Sequence, residues 1–193
     1  MSPWWRLIED ALQAHDPPEL EAIPPRRSSV AAIIDFRPAP HVLLMKRVMH
    51  ERDPWSGHVS LPGGRSEPED SDLIETAVRE TREEVAIDLQ QSASLLGRLA
   101  PRRATSSGKP HDMDVTPFVF RLEQAVEPIP LEEAEALFWL PLDRAADGEL
   151  DAEHSFERDQ VIHKLPAWEF EGFKVWGMTH RILQNLITVC RSC

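Results

Sequence analysis

A chain of 193 residues has enough length to bury a core of its own without disulfides or metal staples, and it is read as one domain over residues 1–193. Its formal net charge of −12 argues against a nucleic-acid backbone or an anionic membrane surface as the main partner, since both call for basic patches. With only Cys190 and Cys193 as cysteines, no signal segment and no apolar run of about 18 residues, the expected setting is reducing and cytoplasmic, and a homodimer is left open.

In chain order, Trp4 to His15 carries apolar residues at 4, 5, 8, 11 and 12, a helical spacing, and Asp16-Pro17-Pro18 ends it. This helix is expected to pack on the domain. A proline-bearing connection leads to two aliphatic runs, Ser28 to Phe36 and His41 to Val48, which predict two strands of a mixed sheet separated by Pro38-Ala39-Pro40. Lys46 and Arg47 close the second run, either as exposed strand-end charges or facing a ligand. Met49 to Ser60 is rich in turn residues, with His50 and His58 at its flanks, and runs into Leu61-Pro62-Gly63-Gly64. Two adjacent glycines without a Cβ predict a tight turn whose backbone carbonyl can approach an ion or ligand closely.

The next stretch, through Ile87, carries the chemistry. At about 100° per residue, Ile74, Ala77, Val78, Thr81 and Val85 form one mostly apolar stripe, while Glu80, Glu83 and Glu84 share the neighbouring sector with Arg79 at its edge. Three carboxylates within one turn repel one another. An acidic helix face is often merely solvated, but a divalent cation would also relieve the repulsion, and oxygen-only ligands select Mg2+ or Mn2+ over zinc.

These residues resemble the Nudix box, G-x(5)-E-x(7)-R-E-U-x-E-E-x-G-U with U aliphatic. Gly64 matches its first glycine, Asp70 stands where the first glutamate belongs, and Arg79, Glu80, Glu83, Glu84 and Ile87 match the remainder. The spacing from Asp70 to Arg79 is one residue longer than the pattern, Thr81 replaces an aliphatic residue, and Ala86 replaces the last glycine. The longer box with its aspartate is similar to that of the coenzyme A pyrophosphatase branch. So is Gly57, four residues before Leu61, although the arginine that signature carries four residues earlier is here Asp53, with Arg52 beside it.

Ser94 to Arg103 and Val115 to Leu122 predict further strands, and the polar segment Ala104 to Asp114 between them predicts a mobile loop. Arg102, Arg103 and Lys109 form the basic cluster nearest the expected site. They are either solvated or able to hold an extra phosphate. Leu131 to Leu142 runs from an acidic turn into a strand, Asp143 to Asp159 shows no pattern, and the remainder predicts a hairpin turning at Glu171-Gly172 and a helix from Met178. Val175 to Thr179 resembles the ending of the coenzyme A pyrophosphatases, so the resemblance covers most of the chain from Ser28 on.

The resemblance implies a Nudix-type α/β/α sandwich with a mixed β-sheet, in which Glu80, Glu83, Glu84 and the Gly63 carbonyl hold Mg2+ or Mn2+ and Arg79 pairs with a carboxylate. It implies that Arg47 faces the substrate phosphates and that Glu133, just before a strand, or a glutamate of the box takes the proton from water. The implied reaction is hydrolysis of the pyrophosphate bond of a small nucleotide derivative, foremost coenzyme A or acyl-coenzyme A. Arg102, Arg103 or Lys109 would contact the 3′-phosphate. Nucleoside triphosphates, oxidised ones included, and ADP-ribose or dinucleotides are the alternative substrates, and a catalytically inactive nucleotide-sensing module is the alternative of another class.

Overall fold

The computed structural model describes residues 8–15, 17, 26–50, 55–106, 109–158 and 160–192, with the backbone alone at 106, 109, 110 and 158. The first described element is helix α1 (Ile8–Ala14), the C-terminal part of the predicted helix. Strands β1 (Arg27–Asp35) and β2 (His41–Arg47) follow, within a residue of the predicted bounds. Both are near-continuous aliphatic runs because both of their faces are buried.

β1 sits at the centre of an eight-stranded mixed sheet. It pairs antiparallel with β2 and, through Ser28 to Val30, with the three-residue β4 (Gly63–Arg65). It pairs in parallel with β7 (Lys109–Leu122) over eight residues. Outside these lie β3 (Val59–Ser60) and β8 (Ala134–Pro141) on β2, and β5 (Ala93–Arg98) and β6 (Arg102–Ser106) on β7. A separate antiparallel sheet is formed by β9 (Asp151–Arg158), β10 (Val161–Phe170) and β11 (Phe173–Trp176).

Alternation along β1 assigns the two faces. Ala31 and Ile33 join Leu43 and Met45 against Leu73, Ala77 and Val85 of helix α2 (Leu73–Val85). Ala32 and Ile34 join Val42 and Leu44 on the other face, against α1 and Ile182, Leu183 and Leu186 of helix α5 (Gly177–Arg191). The chain is therefore an α/β/α sandwich, with the carboxylate helix and the C-terminal helix on opposite sides. Cys190 is a buried member of the second core.

α2 starts sharply because the Asp72 side chain accepts from the N–H groups of Ile74 and Glu75, each at 2.8 Å. It ends at Ala86, held at φ +58°, the left-handed position glycine usually takes. Thr81, in an aliphatic position of the family pattern, is fully buried and donates to the Ala77 carbonyl at 2.7 Å. Within α2's neighbourhood lies the short helix α3 (Leu89–Ser92), capped by Asp88.

Several expectations are corrected. Pro62-Gly63-Gly64 is not a free turn, since both glycines belong to β4 and are paired with β1. The strand expected over Ser94 to Arg103 breaks around Leu99 to Pro101 into β5 and β6. Ala104 to Asp114 is not a mobile loop: β7 begins at Lys109 and pairs back on β6 through Thr105 and Pro110. Its polarity misleads because the segment has few apolar residues to signal a strand, although Ala104 and Asp114 are buried. Asp143 to Asp159 also has structure, namely helix α4 (Leu142–Ala146) and β9. The predicted hairpin at Glu171-Gly172 is present, with both residues at positive φ (50° and 81°), as a two-residue hairpin turn requires.

Candidate active site

The helix α2 presents its carboxylates at the edge of β4, and each meets a different environment. Glu84 is buried, its side chain only 3% exposed, and it accepts from the Gly63 N–H at 2.8 Å. Its other oxygen lies 3.4 Å from Arg47. Burial pushes its carboxyl up to about 8, against the opposing pull of the Gly63 N–H and Arg47. Glu80 is likewise raised by burial. Glu83, next to Glu84 in the chain but pointing outward, has a side chain 57% exposed.

Arg79 ties this sector together. Its Nε and Nη2 donate to the two oxygens of Asp70, each at 3.0 Å, a bidentate pair. Its Nη1 donates to Glu80 at 3.1 Å and Glu83 at 3.0 Å, and Nη2 also reaches the Arg65 carbonyl at 3.0 Å. The arginine holds the Asp70 carboxyl well below the usual carboxylate range, helped by the Glu67 N–H and the Thr76 hydroxyl. Asp70, the residue at the variant position of the longer box, is thus the anchor of the arginine.

Arg47 is no solvated strand-end charge. Its guanidinium bridges Glu84 and Glu133, the latter at 3.3 Å. Glu133 lies in the turn just before β8, with its side chain 63% exposed and its carbonyl accepting from the Val48 N–H at 3.0 Å. Sequence-distant residues from β2, α2 and the β8 turn are therefore brought to one point.

The glycines make that point reachable. A Cβ on Gly64 would fall on the Glu80 carboxylate, and one on Gly63 would strike the Ser29 carbonyl and Val30. Gly63 also needs its φ of +146°. Because these two positions carry no side chain, a groove of about 1820 Å³ on the α5 side of the sheet reaches Glu80 on the α2 side. Arg47, Gly63, Gly64, Glu80 and Glu133 line one end of this groove.

The far wall was not legible as part of a site. His154 stacks on Trp176 with ring centroids 3.8 Å apart, His58 leans on the same indole at 4.7 Å, and Phe156 lies against His163 at 5.2 Å. All five rings line the groove. The signal was the alternation of Ala152, His154 and Phe156 within an acidic stretch, whose inward residues are half-buried. Of the expected basic cluster, Arg102 and Arg103 both line the groove, but Arg103 is spent on Asp114 at 2.6 Å and Asp112 at 3.4 Å. The Lys109 side chain, and Arg52 and Asp53, lie outside the described residues. Arg181 of α5 lines the groove as well and was missed, since its helix reads simply as a packing helix.

The donor set suits a hard divalent ion in kind: every side chain is a carboxylate, and Glu84 is buried with a charge that burial penalises. The carboxylates do not stand preassembled, and among the described residues no three acidic, histidine or cysteine side chains are gathered as a ready metal cluster. Glu80 and Glu83 are turned to Arg79 instead.

The sequence profile of the NUDIX domain matches residues 25–165. The chain is 36% identical to the uncharacterized Nudix hydrolase NudL of Yersinia pestis, over 83% of this chain and 78% of that protein. Its fold is similar to that of an Ap4A hydrolase from C. elegans, with a TM-score of 0.51 at 21% identity, covering 63% of this chain and 84% of the other. It is equally similar to an ADP-ribose pyrophosphatase from Streptococcus suis, with a TM-score of 0.51 at 18% identity over 86% and 92% of the two chains.

Proposed function

The chain belongs to the Nudix hydrolase family, and from that premise we propose that it hydrolyses coenzyme A or acyl-coenzyme A at the pyrophosphate, giving 3′,5′-ADP and 4′-phosphopantetheine or its acyl form. One observation carries the choice of substrate. The Gly57 stretch and the Val175 to Thr179 ending, the two segments that resemble the coenzyme A pyrophosphatases, meet on one wall of the groove: the Thr179 hydroxyl donates to the Val59 carbonyl at 2.9 Å across 120 residues of chain. The groove is also larger than the ~300–1,000 Å³ typical of small-ligand pockets, as a long substrate requires.

Glu80, Glu83, Glu84 and the Gly63 carbonyl would hold Mg2+ or Mn2+. When bound, the ion would supply positive charge to the pyrophosphate and to the departing oxygen and would make the attacking water more acidic. The chain's own residues supply the rest. Arg79, fixed by Asp70, sets the rotamers of Glu80 and Glu83. Arg47 orients Glu133, whose exposed carboxylate oxygen takes the proton as the water oxygen bonds to phosphorus and the bridging P–O bond breaks. The bridging oxygen leaves on the second phosphate.

The test is kcat/KM for coenzyme A, dephospho-coenzyme A, ADP-ribose and 8-oxo-dGTP on one preparation with Mg2+ and with Mn2+. Coenzyme A is expected to rank first. A value tenfold or more below either of the last two substrates would overturn the choice of substrate, and binding of nucleotides without any turnover would favour the sensing module.

A further inference from the structure

The groove has a second charged end. The pairing register places Arg102 opposite Val115, Val115 opposite Ser28, and Ser28 opposite Arg65, in one row across β6, β7, β1 and β4. Directly opposed residues share a sheet face, and all four line the groove. Strands lie ~4.8 Å apart, so Arg102 stands about 14 Å along this row from the Arg65 position beside the Gly64 window. Its long side chain can shorten that span.

Arg102 is in an unbalanced setting. It is half-buried, its Nε is fully buried without a hydrogen-bond partner, and among the described residues it has no ion pair. The charge acting on it is another cation, Arg181, which lines the same groove and is itself without an ion pair among the described residues; burial and this neighbour together lower the Arg102 pKa. Two other arginines of the groove are neutralised, Arg47 by Glu84 and Glu133 and Arg103 by Asp112 and Asp114. Two guanidiniums that repel each other, in a chain of net charge −12, are relieved by an anion placed between them. A phosphate monoester, with several acceptor oxygens, suits two planar donors.

We propose that Arg102 and Arg181 form a subsite for a phosphomonoester of the substrate, separate from the pyrophosphate that is cleaved. Arg103 is excluded from it by its acidic partners. Resting on the assignment of coenzyme A as substrate, the subsite takes the 3′-phosphate and makes the enzyme discriminate against substrates that lack it.

The experiment compares coenzyme A with dephospho-coenzyme A in the wild type, Arg181→Gln and Arg102→Gln, together with binding of 3′,5′-ADP and 5′-AMP by calorimetry. The wild type is expected to prefer coenzyme A by about tenfold to a hundredfold in kcat/KM, the range of one charge-assisted hydrogen bond, and either substitution should bring the ratio toward one. Arg181 is exposed on α5, so its variant serves even if the half-buried Arg102 variant folds poorly. An unchanged ratio in Arg181→Gln, or no preference in the wild type, overturns the subsite. If neither coenzyme is cleaved, the substrate assignment fails, and the subsite is judged by binding: 3′,5′-ADP should bind more tightly than 5′-AMP in the wild type and not in the variants, and equal wild-type affinities overturn it.

Discussion

The two ends of the groove treat charge in opposite ways. At the α2 end, the carboxylates are already held by internal partners, Asp70, Glu80 and Glu83 by Arg79 and Glu84 by Arg47 and the Gly63 N–H. At the β6 end, Arg102 and Arg181 have no ion pair among the described residues. The difference teaches that the acidic cluster is built to stay folded before any cation arrives, whereas the basic pair is left for a ligand to complete. Breaking the acidic end should therefore cost chemistry first and stability selectively.

The largest effect is expected at Glu84. Glu84→Gln should lower kcat/KM by at least about a hundredfold, the scale of losing an interaction formed at the reacting centre, while the metal-free protein stays folded in circular dichroism. Equal turnover in the variant would remove Glu84 from the site.

Next come Gly64→Ala and Gly63→Ala, which separate the window from the sheet. At Gly64 the added methyl meets only the end of the flexible Glu80 side chain, so activity should drop about tenfold or more with little change in Tm. At Gly63 it meets backbone of β1 at a positive φ, so Tm should fall, with a cost of roughly 1–3 kcal/mol. Reversal of this order would mean that the glycines serve packing alone.

A smaller effect is assigned to Glu133. Glu133→Gln should reduce kcat at saturating Mg2+ about tenfold to a hundredfold, within the range of general-base catalysis, and shift the half-saturating Mg2+ concentration much less. A change confined to Mg2+ affinity would make Glu133 a ligand.

The smallest effect is on pH dependence. Glu84 is raised to about 8 by burial, so the folded protein keeps a proton that the unfolded chain loses near the ordinary carboxylate value. The folded state then binds more protons, and in EDTA its stability is full at acidic pH and declines as pH rises toward and through about 8. Tm measured from pH 5 to 8.5 should show this decline, and Glu84→Gln should flatten it.

The acidic end was legible because its pattern is local. A helix period with one apolar stripe places Glu80, Glu83 and Glu84 together whatever surrounds them, and the glycine pair precedes them in sequence. What could not be read depends on pairing across long separations. Arg47 finds Glu84 and Glu133 only because β2 lies between the α2 edge and β8. Arg181 joins Arg102 only because α5 packs over the β6 side of the sheet. The β6–β7 hairpin and β9 carry polar sequences since only one side of each has anything to bury, and a polar alternation looks the same as a loop.

The hydroxyl of Thr179 bonded to the Val59 carbonyl has a consequence for the chain's modularity. The segment at 57–61 and the segment at 175–179 are the two halves of a single joint, although a gene would encode them far apart. A recombinant that exchanges the C-terminal third of this chain for that of a relative inherits one half and discards the other. Crossovers that carry both segments from the same parent should give soluble, active chimeras more often than crossovers placed anywhere between them.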